Sequence, residues 1–117
     1  GERANGALGN PGLLPVNTYN PKGCSPFGVC NIIGNAAEWI FDYYTPNFYA
    51  DSIRDLVPPS IIRNPVNQGS GGGNFVIRGG SFKSNLFDLR PTKRFVRGGE
   101  EAVDDVGFRC GKSLPGQ

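Results

Sequence analysis

The stretch "NIIGNAAEWIF", residues 31–41, sets Asn31, Gly34, Asn35 and Glu38 directly ahead of Trp39, the single Trp of the chain. So many oxygen donors beside a large aromatic ring have two readings. In one, Asn31 and Asn35 cap a turn, and Glu38 pairs with an arginine such as Arg109. In the other, the oxygens surround a hard cation. Glu38 needs one partner or the other, because a desolvated charge without one is costly.

The flanking sequence reads as short strands separated by turns. "AAEWIFDYY" (36–44) is rich in aromatic and branched residues and suits a strand better than a helix. "LPVNTY" (14–19) reads as an edge strand entered through Pro15, "NPKGCSP" (20–26) as a turn, and "FGVCNII" (27–33) as a buried strand. Residues 45–73 form a long connection containing "VPPS", "NPVNQ" and "GSGGG". A connection of that length is usually functional or mobile. "NFVIRGGSF" (74–82) predicts a strand broken at Gly79–Gly80, and "TKRFVR" (92–97) alternates as a half-buried strand should. "GGEEAVDD" (98–105) is an acidic turn, and "VGFRC" (106–110) a last short strand. No repeat and no convincing helical period appears.

Composition agrees. With 18 Gly and 10 Pro among 117 residues, turns are many and helix is scarce, while 38% hydrophobic content is too high for a disordered chain. The chain is one domain or part of one, with a thin core that calls for a disulfide, a metal or a partner surface. Gly1 stands where a Met would start a nascent chain, so the sequence reads as processed or as a fragment. A net charge of +2 is too balanced for a nucleic-acid or anionic-membrane partner, and no apolar run is long enough for a membrane span. The absence of His removes imidazole-based triads and His-rich zinc sites. In "GCSPFGVC", Cys24 and Cys30 have the spacing to close a small disulfide; the alternative is three reduced thiols, with Cys110 the third.

Four segments in order, "PFGVCNIIGNAAEWIFDYY", "FVIRGGSF", "KRFVR" and "VGFRC", carry a resemblance. Together they resemble the C-terminal half of the formylglycine-generating enzyme family, also called the sulfatase-modifying factor domain. Its pattern runs N-x-[FY]-G-L-x-[ND]-[ML]-x-G-N-V-x-E-W, then V-x-R-G-G-S-[WF], R-x-A-x-R and G-F-R. The resemblance covers residues 14–110, with 1–13 as an N-terminal coil, a remnant of a missing N-terminal half, and 111–117 as a tail. It implies an α+β fold of low regular secondary structure: the C-type-lectin-like variant, with short twisted antiparallel strands and long loops.

The resemblance also implies a Ca²⁺ site: Asn31, the carbonyls of Gly34 and Ala36, and Glu38. That set suits a cation which takes carboxylate, amide and backbone oxygens together. The family's oxidising enzymes hold Cu(I) between two Cys after G-G-S, and here those positions carry Ser84 and Leu89. Copper, a soft ion that prefers thiolates, is therefore not expected. Residues 82–105 fall on the family's substrate-binding surface, where Lys83, Asn85, Phe87, Asp88 and Arg90 make a mixed set suited to a protein partner. Phe82 reads as a core filler and Arg97 as an internal pair. Cys110 matches a position that secretory members tie to the N-terminal half, which favours an extracytoplasmic setting. The expected function is a noncatalytic, calcium-stabilised binding or scaffolding domain of a larger protein or assembly. The alternatives are an enzyme that reuses the fold for another oxidative chemistry, of pyoverdine-maturation or ergothioneine-synthesis type, and a diversified lectin-like binding protein.

Overall fold

The structure, a computed structural model, describes residues 3–7, 11–54, 56–57, 60–69 and 71–112. Most of the tail expected at 111–117, and parts of the coil expected at 1–13 and of the 45–73 connection, lie outside the described residues.

The aromatic-rich segment forms the longest strand, β1 (Ala37–Tyr43). A six-residue helix, α1 (Phe48–Ile53), follows it, and then come β2 (Asn74–Arg78), β3 (Phe95–Gly98) and β4 (Val106–Gly107). The four strands make one sheet in the order β3-β2-β1-β4. β2 lies antiparallel to both β1 and β3, with Trp39 opposite Ile77 and Phe75 opposite Arg97. β4 runs parallel to β1, so the sheet is mixed and not wholly antiparallel as expected. An irregularity between Trp39 and Tyr43 shifts the β1–β2 register. Such an interruption sharpens the twist of a short sheet.

Strand β2 is paired on both sides, and its Val76 and Ile77 are buried together with Ala37 and Phe82. Phe82 is thus the core filler that the sequence implied. At the end of β2 the chain turns through Gly79 and Gly80, both at positive φ, where the sequence placed the break.

Other expectations are corrected. Residues 14–19 form consecutive turns and no strand; the N–H of Thr18 donates to the carbonyl of Pro15 at 3.0 Å and that of Asn20 to Asn17 at 3.1 Å. Pro15 and three closely spaced turn formers (Asn17, Thr18, Asn20) outweigh the apolar pattern there. Residues 27–33 are not a buried strand, since Phe27 is 92% exposed. "SPFG" instead makes a turn, Gly28 N–H to Ser25 carbonyl at 2.9 Å, with Pro second and Gly last as that geometry favours. The turn caps a miniature hairpin closed by an antiparallel bridge and by the Cys24–Cys30 disulfide. The strand expected over 92–97 begins only at Phe95. Arg94 is turned aside instead, donating to the carbonyls of Thr45 at 3.0 Å and Pro46 at 2.9 Å.

The long connection is also tied down. Asn67 is buried; its N–H donates to the Asp42 carboxylate at 2.7 Å, and its side-chain amide to the Tyr43 carbonyl and the Thr45 hydroxyl, each at 2.7 Å. No helix among the described residues is long and apolar enough to cross a membrane.

Candidate functional site

Gly34 and Asn35 fix the approach to β1. Gly34 has φ +75 and lies so close to the backbone of Asn5 that a Cβ would collide with it. Both facts require glycine. Its N–H donates to the Gly79 carbonyl at 2.9 Å, joining the two turns. The side-chain amide of Asn35 behaves as an extra peptide group: its oxygen accepts the Leu14 N–H at 2.8 Å, and its nitrogen donates to the Leu14 carbonyl at 3.1 Å. Its main chain accepts the Phe82 N–H at 2.8 Å and donates to the Asn5 carbonyl at 2.8 Å. Asn5, within the expected N-terminal coil, is buried. Nothing local in the sequence marks it, because its role rests on contacts about 30 positions away.

Beside this knot lies a cleft of about 700 Å³ lined by Asn31, Gly34, Ala36 and Glu38, the four residues singled out for calcium. Asn31 is held by donating its side-chain nitrogen to the Val16 carbonyl. Glu38 faces Arg109, whose Nη2 lies 2.7 Å from Oε1 and whose Nε lies 3.1 Å from Oε2. The same Nη2 donates to the carbonyl of Cys30 at 2.8 Å. Donating to the Glu38 carboxylate raises the Arg109 pKa above its ordinary value, against the opposing effect of burial. Of the two readings of Glu38, its pairing with Arg109 is therefore present. The Glu38 carboxylate and the Cys30 carbonyl thus meet on one positive charge. Among the described residues no three His, Cys, Asp or Glu side chains cluster, so a metal in this cleft would rely on amide and carbonyl oxygens beside one carboxylate.

A second group surrounds the Gly pair. A Cβ on Gly80 would sit 3.1 Å from both the Ser84 hydroxyl and a Leu89 methyl, so these two side chains flank the same point. Ser84 Oγ accepts the Ser81 N–H at 2.9 Å. The Ser81 hydroxyl donates to Asp105 at 2.8 Å. Outside this group, Lys83, Asn85, Phe87 and Arg90 are exposed, and Asp88 is half-buried and paired with Lys93. Lys83 pairs with Asp104, which raises the lysine's pKa and lowers that of Asp104. Cys110 is an exposed free thiol.

The profile of the Sulfatase-modifying factor enzyme 1-like domain matches residues 6–114. The chain belongs to this family. Formylglycine-generating enzymes of Streptomyces coelicolor and Bos taurus are 31% and 32% identical to it over 87% and 90% of its length. The serine/threonine-protein kinase pkn1 of Chlamydia pneumoniae is 36% identical over 85% of the chain. The chain spans 30%, 25% and 14% of these relatives' own lengths. A solved structure, Treponema denticola variable protein 1, superimposes on 92% of the chain with a TM-score of 0.67 at 20% identity, covering 34% of that protein. That likeness agrees with the C-type-lectin-like fold.

The copper that was not expected of this sulfatase-modifying-factor domain and the calcium that was can both be set against its residues. For Cu(I), Leu89 has no donor atom and the Ser84 hydroxyl is a hard ligand, so positions 84 and 89 do not fit. For Ca²⁺ the donor chemistry fits, because Asn31, Gly34, Ala36 and Glu38 bring carboxylate, amide and carbonyl groups to one cleft. Arg109, the alternative partner that the sequence offered for Glu38, competes with a metal for that carboxylate.

Proposed function

We propose that this chain is a noncatalytic binding or scaffolding domain, stabilised by calcium and working as part of a larger extracytoplasmic protein. The observation that carries this reading is the chemistry at positions 84 and 89, where a Ser and a Leu flank the Gly80 turn and serve local structure. Neither is a soft-metal ligand. The calcium part is supported by the shared cleft of its four donor residues. The Cys24–Cys30 disulfide is compatible with an oxidising compartment, and relatives several times longer than the chain are compatible with its being part of a larger protein.

In this reading Asn31 and Glu38 hold the cation by side-chain oxygens and Gly34 and Ala36 by carbonyls. Bound calcium neutralises the cleft and ties the 30–36 turn to β1, while Arg109 gives up part of its contact with Glu38. The exposed face around Lys83, Asn85, Phe87, Asp88 and Arg90 contacts the partner.

Thermal unfolding with and without EDTA tests the calcium part. At a hundredfold excess over its Kd, calcium adds about 2.7 kcal/mol, or about 10 °C in the unfolding midpoint of a domain this size. The Glu38→Gln variant should lose that increment. An unchanged midpoint on chelation would end the calcium reading. A second reading, an enzyme with other chemistry, draws on the relatives named formylglycine-generating enzymes. Stoichiometric copper or iron retained through purification and needed for turnover would favour it over the scaffold.

A further inference from the structure

We propose that the cavity behind β3 binds a carboxylate-bearing ligand through Arg97. The cavity encloses about 420 Å³, within the size range of small-molecule sites, and is bordered by Ile77, Ser84, Phe95, Arg97 and Asp105. Arg97 is half-buried and borders it, and its Nε finds no hydrogen-bond acceptor among the described residues. A buried charged donor without a partner is a costly arrangement.

The neighbouring cations are engaged elsewhere. Arg94 holds the carbonyls of Thr45 and Pro46, Lys83 pairs with Asp104, and Arg78 donates to the carbonyls of Pro91 and Thr92. Among the described residues Arg97 forms no ion pair. Asp105, the carboxylate lining the cavity, accepts instead from the Ser81 hydroxyl. The sequence had implied an internal partner for Arg97, and the cavity supplies space in place of one.

Three features select the ligand. A guanidinium presents a planar fork of donors that matches a carboxylate with two parallel hydrogen bonds. Ser84 uses its oxygen to accept from Ser81, which leaves the hydroxyl proton free to donate to the same anion. Ile77 and Phe95 offer an apolar wall, suited to a carboxylate with a small hydrocarbon body. Asp105 repels a second negative charge, which disfavours a phosphate dianion. The inference deepens the reading of the chain as a binding module but involves none of the calcium donors. The EDTA result therefore stands or falls separately.

The test is an amide chemical-shift titration of the ¹⁵N-labelled chain with N-acetylleucine, with N-acetylleucinamide, which lacks the charge, and with inorganic phosphate. Saturable shifts at residues 80–84 and at Arg97 are expected with the acid and not with the amide. Arg97→Gln should weaken the acid about tenfold, the loss of one charge-assisted pair, and Arg97→Lys should fall between. The proposal is overturned if the amide binds as well as the acid, if phosphate binds more tightly, or if the shifts lie elsewhere. Should Arg97→Gln fail to fold, the three probes on the unaltered chain decide the matter.

Discussion

Leu14 donates to and accepts from the side chain of Asn35 as it would from a strand partner, and that same residue secures Asn5 and Phe82 through its main chain. Removing the amide strands the Leu14 N–H and carbonyl. Unsatisfied half-buried groups cost about 1–3 kcal/mol, so Asn35→Ala should lower the unfolding free energy by about 2–3 kcal/mol in urea titrations with little change in slope. Gly34→Ala should cost at least as much by a different route, since a methyl group at φ +75 would also strike the Asn5 backbone. A Gly34→Ala variant as stable as the parent would mean that Asn5 does not pack there. In the sequence, Asn35 was legible only as a turn former; its three-way role depends on residues far apart in the chain.

The 24–30 hairpin is an element closed by its own disulfide, with Phe27 at its exposed tip. Chain-entropy reasoning for a loop of this length gives about 2 kcal/mol, so a Cys24→Ser, Cys30→Ser double variant should lose about that much, measured against the oxidised parent. Reduction of the parent should have the same effect. Lys83 and Asp104 join the loop after the Gly pair to the turn before β4 by an exposed ion pair. The lowered pKa of Asp104 contributes stability present above its ordinary 3.8 and lost as pH falls through the folded value. The raised pKa of Lys83 contributes stability present below its ordinary 10.5 and lost as pH rises. Asp104→Asn should therefore lower the unfolding midpoint slightly between about pH 5 and 9, with the gap closing at both extremes and in high salt. A gap that widens in acid would contradict the pairing.

Across the whole molecule, the buried apolar residues among those described are only Ala37, Val76, Ile77 and Phe82. Phe41 and Phe108 are 85% and 77% exposed on the neighbouring strand β1 and just past β4. The radius of gyration, 15.9 Å, exceeds the ~13 Å of a compact chain of this length. So much uncovered apolar surface predicts concentration-dependent association of the isolated chain in light scattering, reduced by a Phe41→Ser, Phe108→Ser pair. A strictly monomeric parent at high concentration would count against that prediction.

By itself the sequence determined the strand-and-turn character, the position of β1, the break at Gly79–Gly80, the absence of imidazole chemistry and the family. These follow from local propensity, glycine geometry and residue identity, which need no distant partner. The tertiary structure decided the rest. It laid β4 parallel to β1, chose Arg109 as the partner of Glu38 and left Arg97 beside a cavity. Each of those outcomes depends on which segments meet in space, and meetings across tens of residues leave no mark on local pattern.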